Sequence, residues 1–222
     1  MILEARSLTK SYPGSEVLKG ASLSLQSGDM VALLGASGSG KSTFLHCLGL
    51  LEKADQGQLV FNGQDVARLS VSDAARFRLE NLGFVFQFHH LIPELSAFEN
   101  VLLPASLMGR SAEAKARELL CWVGLESKLD RFPWQLSGGE QQRIAVARAL
   151  VNEPKILLTD EATGNLDRAR AMEVMDLLVK INRDLGTTVL SVTHDEELAR
   201  RYKRQYRLKD GQICDWVGSP GS

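Results

Sequence analysis

The sequence predicts an α/β domain built on a mainly parallel core sheet, with an antiparallel β subdomain and an inserted α-helical subdomain. Three observations carry that prediction. The glycine-rich stretch Gly35-Ala36-Ser37-Gly38-Ser39-Gly40-Lys41-Ser42-Thr43 follows an apolar run, Met30 to Leu34, and leads into a helical pattern, Thr43 to Leu51. Two further strand-like apolar runs, Lys155 to Asp160 and Thr187 to Val192, flank a long helical pattern, the rhythm of parallel strands with crossover helices. Polar residues able to do chemistry stand at the carboxyl ends of these runs, where open α/β sheets hold ligands.

The glycine-rich stretch fits the Walker A pattern and predicts a P-loop nucleoside triphosphatase. Gly35, Gly38 and Gly40, with Ser37 and Ser39 between them, let the backbone turn tightly and bring its amides against phosphate oxygens. Lys41 is placed to meet the β and γ phosphates and Ser42 to offer a hydroxyl to Mg²⁺. Thr43 follows on a helix whose N-terminus puts a positive dipole end beneath the anion.

Composition sets the outer bounds. The 222 residues suffice for one domain over 1–217, with a helical subdomain at about 88–150 and a disordered tail at 218–222. A hydrophobic fraction of 44% is ordinary, and a net charge of -1 gives no reason to expect nucleic acid. The basic cluster Arg200, Arg201, Lys203, Arg204, Arg207 and Lys209 reads as a solvated face. Cys47, Cys121 and Cys214 are scattered and odd in number, which predicts neither a disulfide framework nor a zinc site and suits a reducing compartment. The opening residues turn charged too early for a signal peptide, and no apolar run is long enough to cross a bilayer. Work at a membrane is therefore expected to need another chain.

Residues 2 to 10 and 17 to 26 alternate apolar and polar around a Pro13-Gly14 turn, predicting two antiparallel strands. Tyr12 flanks that turn, either as a packing residue or as a platform for adenine. Gly57 to Gly63 predicts a short strand and turn, Ser72 to Glu80 a helix, and Gly83 to Phe86 a buried strand ending in Gln87, a polar amide where ligands bind. From Leu91 to Cys121 the pattern is helical. Pro93 is expected to open one helix, Pro104 to interrupt it, and Ser111 to cap the next.

Leu136-Ser137-Gly138-Gly139-Glu140 precedes the helical pattern Ile144 to Val151. Ser137 is a natural N-cap and two glycines bare the backbone, so on these residues alone the terminus is a well-capped helix or a second anion site. Asp160 and Glu161 fit a Walker B element, Asp160 holding Mg²⁺ through water and Glu161 polarising the attacking water. A tight polar loop, Ala162 to Asp167, leads into a surface helix, Arg168 to Leu185. His194, after the strand Thr187 to Val192, is either structural or set to touch a γ-phosphate. Gln205 to Leu208 and Gln212 to Val217, around Asp210-Gly211, predict a closing hairpin.

In this order, the P-loop, Gln87, Leu136-Ser137-Gly138-Gly139-Glu140, Asp160-Glu161 and His194 resemble the ATP-binding-cassette family over almost the whole chain. The resemblance implies ATP and Mg²⁺ as cofactors and ATP hydrolysis coupled to transport. It implies that Tyr12 stacks on adenine, that Gly35 through Thr43 hold phosphate, that Ser42, Gln87 and Asp160 serve Mg²⁺, and that Glu161 is the base, with Lys41, Gln87 and His194 beside it in catalysis. Ser137, Gly138 and Gly139 would complete the site of a facing second copy, with Asp167 at the seam. The implied partners are that second copy and two integral membrane permease subunits, with the chain peripheral on the cytoplasmic face of a bacterial inner membrane and without nucleic acid.

Phe86-Gln87-Phe88-His89-His90-Leu91-Ile92-Pro93-Glu94-Leu95 and Thr163-Gly164-Asn165-Leu166-Asp167 look like the branch of that family serving lipoprotein release. Export and the regulation of cell division and cell-wall hydrolysis are its alternatives. Two residues depart from the branch: Ala162 stands where it usually has Pro, and Thr159 replaces an apolar residue before Asp160. Neither removes a catalytic group. No Asn-Lys-x-Asp stretch points to guanine, and a small-molecule kinase has no need of the Ser-Gly-Gly helix.

Overall fold

The computed structural model describes residues 1–215, so the tail at 218–222 and the last two residues of the expected closing strand lie outside the described residues. In chain order the strands are β1 (Leu3–Tyr12), β2 (Ser15–Leu25), β3 (Met30–Leu34), β4 (Gln56–Phe61), β5 (Gln64–Asp65), β6 (Leu82–Phe86), β7 (Ile156–Asp160), β8 (Thr188–Thr193), β9 (Arg204–Lys209) and β10 (Gln212–Asp215). The α-helices are α1 (Lys41–Leu48), α2 (Val71–Asn81), α3 (Ala97–Leu107), α4 (Glu113–Trp122), α5 (Gly138–Leu150), α6 (Arg168–Leu185) and α7 (Glu196–Ala199).

The alternating N-terminal segments form an antiparallel pair, with Leu3 opposite Leu25 and Tyr12 opposite Ser15. β4 pairs with the other edge of β1, and β5 completes a four-stranded antiparallel sheet. The second sheet runs β10-β9-β3-β8-β7-β6, parallel throughout except at β10. Every residue of β3 and β8 is buried, which is why these strands read as unbroken apolar or β-branched runs. Alternate side chains divide the interior. Met30, Ala32 and Leu34 join α5 and α6 in one core, whereas Val31 and Leu33 join Phe44 of α1 and the antiparallel sheet in the other.

Strand register assembles the site. Leu34 lies opposite Thr193, Asp160 opposite Val192, and Phe86 opposite Asp160. The P-loop, the paired acids, His194 and Gln87 therefore leave the same edge of the sheet, at its carboxyl end.

Three expectations for the helical stretch are corrected. Pro93 does not open a helix: α3 starts at Ala97, capped by Ser96 in a reciprocal pair with Glu99. The residues before it wrap around buried Asn100, whose Nδ2 donates to the carbonyls of Ile92, Leu95 and Ser96 while its Oδ1 accepts from the Ile92 amide. Pro104 does not interrupt α3, which runs on through it and ends three residues later; in the last turn the missing N–H removes only one bond. Ser111 is not the cap of α4. Ala112 occupies that position, and the Ser111 hydroxyl donates to the Glu113 carboxylate at 2.5 Å. The basic cluster is also more than a solvated face, since Arg201 pairs with Asp176 and Arg204 with Asp29, each at 2.6 Å, and Arg207 with Glu196 at 2.5 Å.

Candidate active site

The P-loop joins β3 to α1, and two of its glycines are dictated by the chain's own packing. Gly40 has φ 98°, a left-handed conformation, and a Cβ there would stand 2.6 Å from Val17 Cγ1. A Cβ on Gly35 would meet the Leu208 carbonyl at 2.7 Å. These two glycines let the loop tuck under β2 and β9. The helix that follows is N-capped by Gly40 with no side-chain bond and has no acid in its first turn, so its leading amides remain available to an external anion. Lys41 is only 5% exposed and its Nζ donates to the carbonyls of Gly35 and Ala36 at 2.9 and 2.8 Å, which lays the cation across the loop. The buried Ser39 hydroxyl has no hydrogen-bond partner among the described residues. Ordered amides, a lysine held in place and an unsatisfied hydroxyl fit phosphate.

At the end of β7, Asp160 Oδ1 accepts from the Ser42 hydroxyl at 3.0 Å. Its other oxygen lies 3.8 Å from Nε2 of His46, a neighbour that the sequence reading did not single out. Burial raises the Asp160 pKa, partly offset by the Ser42 bond and by His46. A desolvated carboxylate beside a hydroxyl supplies the oxygen donors that a hard divalent cation takes. Glu161 follows with φ 46°, a left-handed conformation unusual for a residue with a Cβ and of the kind found at active sites. Its amide donates to the Val192 carbonyl at 3.0 Å, and its Oε1 lies 3.2 Å from His194 Nδ1. The polar residue at 159 has its explanation here: buried Thr159 donates to Ser191 across β7 and β8 at 2.7 Å.

Gln87 Nε2 donates to Asn165 Oδ1 at 2.9 Å, and Asn165 Nδ2 reaches back to the Gln87 carbonyl at 3.4 Å. In the sequence Asn165 stands in a polar loop and in the branch-like stretch 163–167, with no role attached to it. A cavity of about 410 Å³ gathers Ser37, Gly38, Gly40, Lys41, Ser42 and Thr43 with Gln87, Asp160 and Glu161; Val17 closes one wall. His194 and Glu161 line an adjoining cavity of about 250 Å³. Tyr12, at the end of β1 and 41% exposed, donates from its hydroxyl to Glu52 at 2.6 Å and lies within side-chain reach of Thr43, which lines the cavity. The bond to Glu52 is the main cause raising its pKa, and Lys10 Nζ sits over the ring, 5.5 Å from its centre.

The Ser-Gly-Gly residues and Asp167 are not brought to this cavity. Ser137 caps α5, accepting from the Glu140 amide at 3.4 Å, while its own amide and hydroxyl donate to the Glu140 carboxylate at 2.8 and 2.9 Å. A Cβ on Gly139 would lie 3.3 Å from Arg170 Cδ, and Gly138 faces Leu166. Asp167 caps α6 through the Arg170 amide at 3.0 Å. This second helix terminus stands beside the first turn of α6, among residues 137–170.

The ABC transporter family model matches residues 18–164. The lipoprotein-releasing system ATP-binding protein LolD of Aquifex aeolicus is 50% identical over 215 residues, covering 96% of both chains. LolD of Geobacter metallireducens is 49% identical over 219 residues, covering 96% of this chain and 97% of the relative. Among solved structures, the dimeric ATP-binding cassette MJ0796 in a post-hydrolysis state bound to ADP and Pi is 38% identical, with a TM-score of 0.88, over 98% of this chain and 100% of that one.

Proposed function

The chain belongs to the ABC transporter family as an ATP-hydrolysing subunit, and on that premise we propose that two copies pair head to tail around ATP to drive lipoprotein release. In this reading they act on two integral membrane subunits, LolC/LolE-like permeases, from the cytoplasmic face of a bacterial inner membrane. The observation that carries the pairing is the division of the site. One cavity collects Lys41, Ser42, Gln87, Asp160 and Glu161, whereas the Ser137 terminus lies elsewhere in the same chain. A second copy in reversed orientation brings Ser137, Gly138 and Gly139 to the γ-phosphate and places Asp167 at the seam. Half-identity to LolD along nearly the whole chain favours lipoprotein as cargo.

The chemistry follows from the residues. The P-loop amides and Lys41 bind and orient the β and γ phosphates, and Tyr12 offers its ring to adenine. Ser42 and Asp160, with Gln87 near, hold Mg²⁺, which offsets phosphate charge when bound. Glu161 takes a proton from the water that attacks the γ-phosphorus as the bond to ADP breaks. His194 steadies Glu161 through Nδ1 and leaves Nε2 for a γ-phosphate oxygen. Closing the dimer and reopening it after hydrolysis moves the membrane subunits.

An apolar groove lined by Leu51, Leu79, Phe84, Phe86, Pro104 and Leu107 gives those subunits a surface to grip. No helix among the described residues is long and apolar enough to cross a membrane. The deciding experiment is Glu161→Gln. It should retain ATP and Mg²⁺, lose at least about a hundredfold in turnover and accumulate as a dimer by sedimentation. Parental turnover would remove Glu161 from the base role, and a nucleotide-loaded monomer would overturn the pairing.

A further inference from the structure

The segment after Gln87 is held in a conformation uncommon for residues that carry a Cβ. His89 and His90 have φ of 56° and 48°, two consecutive left-handed residues that both carry a Cβ. Local bonds do little to offset this, since the His89 amide reaches the Phe86 carbonyl at 3.3 Å and the His90 amide makes a tight turn to Phe88 at 2.5 Å. The hold comes from α5. Arg148 Nη1 donates to the His90 carbonyl and Nη2 to the His89 carbonyl, both at 2.6 Å. Gln142, fully buried on the same helix, donates to the Phe86 carbonyl at 3.4 Å. No carboxylate pairs with Arg148 among the described residues, and its guanidinium donates instead to these two carbonyls.

We infer that Arg148 is a positioning residue for Gln87. Its planar fork fixes the left-handed pair, and the pair sets the chain direction that points Gln87 at the cavity and at Asn165. The helix that begins at Ser137 thereby carries Gln87 with it as one body. A lysine keeps the charge but has no fork, and it cannot bond both carbonyls in one plane. Glycine takes left-handed φ without steric cost, so glycines at 89 and 90 reduce the need for the fork. The inference rests on the proposed role of Gln87 in ATP hydrolysis.

The test uses the full chain with Arg148→Lys and Arg148→Met, each with and without the pair His89→Gly and His90→Gly. Hydrogen exchange over 86–92 should speed up about tenfold in both single variants. Turnover should fall about five- to tenfold with KM for ATP within about twofold, the split expected when a group acts mainly in the transition state. The glycine pair should restore at least half of the lost kcat in the Arg148→Lys background, a rescue that a purely structural defect would not show. If Arg148→Met fails to fold, Arg148→Lys carries the test. Unchanged exchange, unchanged kcat, or a loss that the glycines do not restore in a protein of parental Tm overturns the inference. Failure of Glu161→Gln to slow turnover overturns the functional reading instead.

Discussion

Among the described residues two helix starts are marked by glycines, at α1 and α5, and they are finished differently. At α1 the N-cap is Gly40, no side chain caps the first amides, and the first turn holds no acid. At α5 the N-cap is Ser137, and Glu140 closes the terminus with its carboxylate. Both helices present the positive end of a dipole, but only α1 leaves it open to an outside anion. The open terminus also has a lysine, a hydroxyl and two acids around it in one cavity, whereas the closed one faces the start of α6. An uncapped terminus surrounded by catalytic groups is a site within its own chain. A capped one is stable alone, and under the proposed pairing it becomes part of a site only when a neighbour brings the phosphate.

The largest test breaks the first terminus. Lys41→Ala removes the buried cation that lies over the loop. Two charge-assisted bonds to phosphate at roughly 1.5 to 3 kcal/mol each correspond to a fall of about two to four orders of magnitude in the ATP affinity of the single chain, read by nucleotide titration. Unaltered affinity would mean that the phosphates bind elsewhere. The next test strikes the second terminus. Ser137→Arg should lower turnover about a hundredfold, as expected for losing an oriented donor at the transferred group, while ATP affinity of the monomer stays within about twofold. If monomer affinity fell along with turnover, the two termini would serve one pocket in one chain and the contrast between them would be false.

The sequence discloses α1 better than α5, and the reason is range. The loop and its lysine lie within nine successive residues, 35–43, that run straight into α1, and β3, β7 and β8 are buried on both faces, so their apolar runs read directly. Interactions between distant residues did not show. Gly35 and Gly40 look like room made for phosphate, yet each is also required by Leu208 or Val17, residues reached only through the sheet. Gln87 and Asn165 are 78 positions apart, and Arg148 meets His89 and His90 across 59 and 58. Pro93 and Pro104 misled because buried Asn100 overrides local preference, folding the first into a loop, and because the second falls where α3 is about to end. Ser137 could be read as a cap from its own residue type. That its terminus stands away from the P-loop cavity could not.

The smallest effect isolates the cap itself. The Ser137 amide above all pulls the Glu140 carboxyl below its ordinary value of 4.5; burial opposes it next, and the Ser137 hydroxyl and Lys128 at 3.7 Å add to the lowering. A carboxyl with a folded pKa below its unfolded one stabilises the protein above the unfolded value, and that contribution is lost as pH falls through the folded value. Glu140→Gln should therefore cost about 0.5 to 1 kcal/mol at neutral pH, the scale of a helix cap, read as a lowered Tm. The gap between variant and parent should narrow as pH drops below 4.5. No acid stands in the first turn of α1, so that helix has no matching contribution. A Tm difference that stayed constant down to pH 3 would show that Glu140 acts on α5 without its charge, and the electrostatic account of the closed terminus would then fail.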